Sequence, residues 1–556
     1  MAVPATRAAS ENDIPPGDAA QPESGQRDVD RTVLGIAAAV TVLFVLWGIV
    51  ATDNLASVTS AALDWVVRAF GWVFVLASAA FVVLSVWLAL SRYGRVKLGR
   101  DDEKPEFSTV SWVAMMFSAG MGIGLMFWGA AEPLSHLGTP PRGLTEPNSQ
   151  QAARVAMEYS FFHWALHPWA IYSVVGLSLA YFTFRKGRRG LISSTFVPLI
   201  GERAERGAGK AIDIFAIFAT LVGSAVSLGL GALQINSGLT NLWNVPKSTP
   251  LAIGIIAVLT VAFVVSAVTG VKRGIQFLSN TNMVLAVALL FFLLVVGPTV
   301  FVLNTLTAST GGYLYDLIPM SFRTGAFGGE EWMAGWTIFY WAWWISWTPF
   351  VGAFIARISR GRTIRQFVLG VVAIPSLVSF VWFSVFGGTA IDLQLGGTDL
   401  SAAVAESPEA ALFAVLREFP LFTVTAILVM VLVALFFVSG ADAASVVMGT
   451  LSSRGTIEPK SWLVALWGVL TGLVAAVLLL AGGLSALQSL TILAALPFLF
   501  VMVGMVAGLL RELRREPAAA TMAPEIRALA AAIVPPATTE PTNGSQPGHR
   551  IPGVEV

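Results

Sequence analysis

Ser118-Ala-Gly-Met-Gly-Ile-Gly124 lies inside an apolar run and places a glycine at every second position from Gly120 to Gly124. After proline, glycine is the residue least suited to a helix interior. Within a membrane-length stretch, such a run predicts a span that unwinds midway and presents backbone carbonyls and amides. Close packing through small residues is the competing reading, but packing motifs repeat at every fourth residue. No strand pattern precedes the run, which excludes a dinucleotide-binding turn.

Outward from that run the chain is apolar almost throughout. Of its 556 residues, 56% are hydrophobic and 12% charged, against roughly 25% charged in soluble domains. The net charge of +1 gives no reason to expect a nucleic-acid partner. With no cysteine, disulfides, thiolate metal sites and cysteine nucleophiles are excluded. Twelve apolar runs reach the ~20 residues a spanning helix needs. They begin near Arg31, Asp64, Thr109, Ala152, Ala211, Leu251, Phe277, Glu331, Thr363, Pro420, Ser461 and Leu487. Every even-numbered loop is basic: Arg92, Arg95, Lys97 and Arg100; Arg185, Lys186, Arg188 and Arg189; Lys272 and Arg273; Arg357, Arg360, Arg362 and Arg365; Arg454 and Lys460. Arg511, Arg514 and Arg515 follow the last run. The odd loops are poor in Lys and Arg, so the positive-inside rule predicts twelve helices with both termini cytoplasmic.

The predicted fold class is all-α and integral to the membrane. A cytoplasmic tail over 1–30 and another over 516–556 read as disordered. Two additional helices occupy 31–108, a first five-helix unit 109–305 and a second 331–515. The extracellular loop over 306–330 is expected to hold an amphipathic helix on the membrane surface.

The eighth run carries Trp336, Trp341, Trp343, Trp344 and Trp347, followed by Pro349. Ser346-Trp-Thr-Pro349 predicts a second helix break, because proline lacks a backbone donor. Each five-helix unit then opens on a broken span, the arrangement of an inverted repeat around a central transport site. In the fourth run, His163-Trp164-Ala-Leu-His167-Pro168-Trp169-Ala-Ile-Tyr172 sets Trp164, Trp169 and Tyr172 on one face of a helix kinked by Pro168. Facing Trp343, Trp344 and Trp347, they predict an aromatic box for a trimethylammonium group, held by cation–π attraction. His163 and His167 have metal-ligand spacing but no accompanying carboxylate, and read as hydrogen-bonded structural histidines.

Ala119-Gly-Met-Gly-Ile-Gly-Leu-Met-Phe127, Glu132-Pro133, His163–Tyr172 and Trp336–Arg362 together resemble the betaine/choline/carnitine transporter family. The resemblance runs from roughly Arg31 to Glu516 and excludes both tails. It implies a LeuT-type fold of two inverted five-helix repeats preceded by two extra helices, a homotrimer in the inner membrane, and alternating access. It also implies that Trp164, Trp169, Tyr172 and Trp344 line the central box, with Trp347 along the cytoplasmic exit and Trp343 beside it. Gly120, Met121, Gly122 and Gly124 would offer backbone groups to the substrate. Choline carriers of the family tend to place Asp at the position of Gly124. Glycine there favours a zwitterion such as glycine betaine, ectoine or proline, whose carboxylate can use freed backbone amides.

Sodium is the expected coupling ion, and no other cofactor is implied. Thr220, Ser224 and Phe350 match one sodium site of the sodium-driven relatives. Hydroxyls that bond back to their own helix are the alternative for the first two. Ser118, Met121, Phe436 and Ser439 match the other site, where Gly440 replaces a hydroxyl residue. Proton coupling or exchange, with choline or carnitine among the substrates, stays open, as does a non-transporting osmosensor. Asp442 and Arg357 are expected at membrane depth, either closing a cytoplasmic gate or forming a structural ion pair. Glu132 is expected near the outer entrance. After Arg515 only Arg527 and Arg550 are basic, which predicts weak regulation by the C-terminal tail.

A P-loop is missing: Gly207-Ala-Gly-Lys210 is followed by Ala and lacks the preceding glycine. No channel filter or charged ring is visible, nor any catalytic Ser/His/Asp or paired-Asp set.

Overall fold

The computed structural model describes residues 29–517 except 121, 142, 270 and 271; the side chains of 114, 117–121, 268–280, 402, 403 and 406 also lie outside the description. Nearly all of both predicted tails falls outside the described residues. The rest is helical, and the described residues contain no strand beyond one isolated bridge between Lys97 and Thr363.

In chain order the helices are α1 (Arg31–Val50), α2 (Thr52–Leu90), α3 (Thr109–Gly120), α4 (Ile123–Gly138), α5 (Gln150–Trp164), α6 (Leu166–Ala180), the short α7 (Val197–Ile200) and α8 (Gly207–Trp243). Then come α9 (Thr249–Thr269), α10 (Lys272–Val296), α11 (Thr299–Ser321), the short α12 (Glu330–Met333), α13 (Phe339–Ile358) and α14 (Ile364–Leu395). The last are α15 (Ser401–Glu406), α16 (Ala411–Arg417), α17 (Phe422–Leu451) and α18 (Ser461–Leu513).

Among the described residues, eight helices are long and apolar enough to cross a membrane, or nine if the bent pair around Gly297-Pro298 counts as one span. The count falls short of twelve for physical reasons. The third expected span is split into α3 and α4, each too short alone. The expected eleventh and twelfth spans both fall within α18, whose 53 residues are two helices joined at a kink. That helix bends at Gly482-Gly483, where Gly483 has φ +60° and ψ −132°, a conformation essentially reserved for glycine. The second span also differs: α2 starts at Thr52, not near Asp64. Its first turn is polar, yet it is held to the end of α1 by Thr52 Oγ1 donating to Gly48 O at 2.7 Å and Trp47 Nε1 donating to Asn54 Oδ1 at 3.0 Å.

The prolines act differently from one another. Pro168 would clash with the carbonyl of Trp164, four residues back, and the helix breaks at Ala165 (φ −107°, ψ −111°). Pro349 breaks nothing. α13 runs through it, because Thr348 Oγ1 donates to Ile345 O at 2.7 Å, the carbonyl that proline leaves without its donor. The irregularity of this region is instead a π-helical turn at Ala334–Ile338. The break predicted at Ser346–Pro349 is therefore absent.

Burial sorts the helices into an interior and a rim. Of the span window in α5–α6, 94% is buried, against 28% for α1 and 17% for α9. α8 and α13 pack against each other and against α18, with α6 on α13 and α17 on α8. α9 and α10 turn Val258, Val261, Val265, Val284, Val287, Phe291 and Val295 outward, as a lipid-facing surface would. α11 turns away from α10 by 109°.

The basic loops meet at one end of the bundle. Arg185 Nη1 reaches Asp101 Oδ1 at 3.0 Å, Arg360 Nε reaches Glu103 Oε1 at 2.5 Å, and Arg365 Nε donates to Ala89 O at 2.8 Å. Arg362 sits 4.0 Å over the Trp112 ring. Past the end of α18, Glu516 closes this lattice. Arg185 donates to its Oε2 at 2.9 and 2.7 Å, Tyr181 donates to its Oε1, and Lys186 Nζ lies 3.1 Å from that oxygen. Burial by itself would raise the Glu516 carboxyl, but these hydrogen bonds and the Arg185 charge outweigh it and hold the group down at about 2. A lowered folded-state pKa contributes stability above the ordinary value of 4.5 and loses it as pH falls toward 2. Glu516→Gln is therefore expected to lower the melting temperature of the detergent-solubilised protein at pH 7. The gap to the parent should close between about pH 4.5 and 2, and a gap constant over that range would refute the clamp.

Candidate functional site

The site forms where α5, α6 and α13 meet the start of α4. Gly122, the N-cap of α4, is extended (φ −156°, ψ −152°). The glycine run thus does interrupt the span, although Met121 lies outside the described residues. The Ala165 break leaves His163 O free of its helical donor, and Trp344 Nε1 donates to it at 3.0 Å. This bond ties the α13 ring to the α5 backbone. Trp164 and Trp344 meet edge to face at 4.9 Å, Trp343 stacks on Trp344 at 4.9 Å, and Tyr172 meets Trp344 at 6.1 Å. Trp169 lies one ring further out, 5.5 Å from Tyr172. Trp347, half-buried, contacts Trp343 at 6.0 Å and donates from Nε1 to Gly223 O at 2.9 Å. All six predicted rings therefore belong to one cluster. They touch one another, so a ligand between Trp164 and Trp344 requires one ring to move.

Gly124 forms the floor. A Cβ there would lie 2.7 Å from Trp164 Cη2 and 2.9 Å from Trp343 Cη2, so both ring tips press on the glycine and leave no room for a side chain. Gly120 ends α3, and its surroundings, like those of Ser118, lie outside the described side chains. Two polar atoms in the cluster have no partner although buried: Tyr172 Oη and Trp343 Nε1. Unsatisfied buried donors are costly and uncommon, and both can donate to an acceptor.

Behind the rings stands Glu132, which is fully buried and not near the surface as expected. It sits on α4, whose turn carries it into the protein interior. Trp164 Nε1 and Tyr340 Oη donate to its Oε2 at 2.7 and 2.5 Å. His163 Nδ1 lies 2.7 Å and His136 Nε2 3.2 Å from its Oε1. His163 Nε2 pairs with Thr337 Oγ1 at 3.0 Å. The expectation that no carboxylate accompanies His163 is thus corrected. His167 is elsewhere, with its Nε2 3.1 Å from Ser321 Oγ, so the two histidines share no site. Glu132, His136 and His163 do bring three ligand-type atoms within 4.8 Å. Direct contacts of 2.7 and 3.2 Å between them make this a hydrogen-bonded cluster. Sequence reasoning named Glu132 without joining it to the rings, and overlooked Tyr340, His136 and Thr337; the available signal was an acidic residue within a membrane-length run.

The expected ion ligands are only partly assembled. Thr220 Oγ1 donates back to Ala216 O at 2.8 Å, the alternative reading for this hydroxyl, while Ser224 is buried. Phe350 meets Trp347 edge to face at 6.0 Å. Ser439 Oγ donates to Phe436 O at 3.3 Å, and a Cβ at Gly440 would meet nothing within 4 Å. Asp442 and Arg357 form no ion pair. Asp442 is 6% exposed, whereas Arg357 faces outward, so the two side chains leave their helices in different directions.

The chain matches the family described as BCCT, betaine/carnitine/choline family transporter, over residues 32–518. The glycine betaine transporter OpuD of Bacillus subtilis is 50% identical over 488 residues, which cover 87% of this chain and 94% of that protein. The betaine/ectoine transporter LcoP of Corynebacterium glutamicum is 43% identical over 510 residues, 91% of this chain and 81% of that protein. An ectoine/hydroxyectoine transporter of Virgibacillus pantothenticus is 42% identical over 488 residues, 88% and 97% of the two chains. These relatives are transporters and not enzymes. From Trp box to sequence match the observations agree, and the chain belongs to the betaine/carnitine/choline family of multi-pass membrane transporters.

Proposed function

We propose that this protein imports glycine betaine, or a related zwitterionic compatible solute such as ectoine, by sodium-coupled alternating access, and so protects the cell against osmotic stress. The carrying observation is an aromatic cluster, built on interrupted helices, that holds two unsatisfied buried donors, Tyr172 Oη and Trp343 Nε1. A quaternary ammonium fits the ring faces, and the carboxylate of the same molecule fits the orphan donors. A bare cation would leave those donors unpaired. The names of the glycine betaine and ectoine relatives point the same way. The contact between Trp164 and Trp344 supports a cycle in which the rings part to admit substrate.

The proposal includes twelve spans in a LeuT-type five-plus-five inverted repeat preceded by two helices, a homotrimer, and both termini on the cytoplasmic face of the inner membrane. The convergence of the basic second, fourth and eighth loops supports that orientation. A second coupling mode, by protons or exchange, is favoured by two observations: Gly440 supplies no hydroxyl, and the Thr220 hydroxyl is engaged by its own helix.

Uptake of labelled glycine betaine into liposomes, with an inward sodium gradient and with potassium in its place, tests the reading. Accumulation that ignores sodium refutes the sodium coupling, and saturable binding without uptake marks an osmosensor. Trp344→Ala is expected to raise KM about tenfold or more, the loss of one desolvated cation–π contact. An unchanged KM would remove Trp344 from the site. Gly124→Asp must push Trp164 and Trp343 apart and should cut betaine uptake about tenfold or more. Full betaine uptake in that variant would show the floor to be loose.

A further inference from the structure

Glu132 is the best-connected side chain of the site, and its bonds go to the rings themselves. Its Oε2 takes Trp164 Nε1 from α5 and Tyr340 Oη from α13. Trp164 is a wall of the box, and Tyr340 stacks on another wall, Trp344, at 5.8 Å and 20°. A single carboxylate oxygen thus holds rings from two of the three helices that carry the box. Its other oxygen is met by His163 and His136. An ionised carboxylate only accepts hydrogen bonds and offers about four lone-pair sites, and four donor-capable groups surround this one. With Nδ1 toward Glu132 as donor, His163 accepts from Thr337 at Nε2 and stays neutral. No lysine or arginine forms an ion pair with Glu132 among the described residues. An ionised Glu132 is therefore solvated by dipoles and not cancelled by a full positive charge.

We infer that Glu132 is a positioning and charge-selecting residue of the substrate site: a buried anion, wired to the box through Trp164 and Tyr340, that draws the ammonium end of the substrate onto the ring faces. The argument rests on the transport reading above. Three consequences follow from the geometry. An acceptor on an indole N–H pushes electron density into the ring and strengthens its negative face. The carboxylate field, in a water-poor interior, acts on a cation at the next ring. A zwitterion is oriented, with its ammonium toward Trp164 and its carboxylate away, toward the orphan donors. Gly124 contributes no acid to the box, but the box is not without one: the charge stands behind the rings and not among them.

The test separates charge from shape. Choline and its uncharged isostere 3,3-dimethylbutan-1-ol differ in one atom, quaternary nitrogen against carbon. Each is used to compete with labelled glycine betaine for the purified protein in liposomes, and the ratio of their inhibition constants is the readout. The parent protein is expected to prefer choline strongly. Glu132→Gln should shrink that preference about tenfold, beyond any loss of affinity common to both. Glu132→Asp keeps the charge and should hold the preference within about threefold of the parent, which also serves if the Gln variant does not fold. Equal weakening of both competitors in Glu132→Gln, with the ratio unchanged, assigns Glu132 a structural role only and overturns the inference. So does an Asp variant whose preference collapses although it still binds betaine. A parent protein that does not distinguish the two competitors refutes the aromatic-box reading instead.

Discussion

Four hydrogen-bonding groups meeting on one buried carboxylate, that of Glu132, hold the centre of this protein together. An unpaired charge inside a bundle is costly, and breaking such a network typically costs about 3–5 kcal/mol. The four bonds make burial tolerable, and in doing so they dictate positions. Trp164 and His163 from α5, His136 from the next turn of α4, and Tyr340 from α13 can reach the same group only if the three helices keep one relative height. The ring cluster inherits its geometry from that register. Its walls are correspondingly packed, with Trp343 and Trp344 stacked at 4.9 Å and Trp164 set edge-on to them.

The helix break at Ala165 belongs to the same construction. An intact helix would occupy the carbonyl of His163 with the amide of His167. Pro168 prevents the helix from continuing, the carbonyl turns free, and the indole of Trp344 takes it. A local defect thereby becomes a cross-link between the two halves of the box. Elsewhere the protein repairs its prolines. Thr348 covers the carbonyl orphaned by Pro349, and Thr299 Oγ1 donates to Leu294 O at 2.6 Å, the carbonyl orphaned by Pro298. In the first case the helix stays straight; in the second Gly297 precedes the proline and the chain bends by 109°. Proline alone decides little; the neighbouring hydroxyl and glycine decide the outcome.

Closure of the rings on one another also bears on motion. Trp164 and Trp344 close on each other, and Trp344 is held by α5 while Trp347 is held by α8. Movement of α13 relative to α5 changes the first contact, and movement relative to α8 the second. At the basic end, the second, fourth and eighth loops and Glu516 form a continuous polar lattice. It joins the ends of α6, α13 and α18, the first two of which carry rings of the cluster.

The membrane class, the interrupted third span, the clustering of six rings and the family were all legible in the chain. Each depends on composition or on residues close in sequence: an apolar run, glycines at every second position, Trp164 to Tyr172 within nine residues, Trp343 to Trp347 within five. The tertiary structure decided the rest, because it depends on what stands opposite. The difference between Pro168, which breaks its helix, and Pro349, which does not, had a local signal in Thr348, whose hydroxyl covers Ile345 O. Nothing local says that Glu132 faces inward to four donors drawn from α4, α5 and α13, or that Asp442 and Arg357 point apart. Hydrophobic periodicity reports which side of a helix avoids water, whereas polar pairing in a membrane interior is set by contacts between residues far apart in the chain.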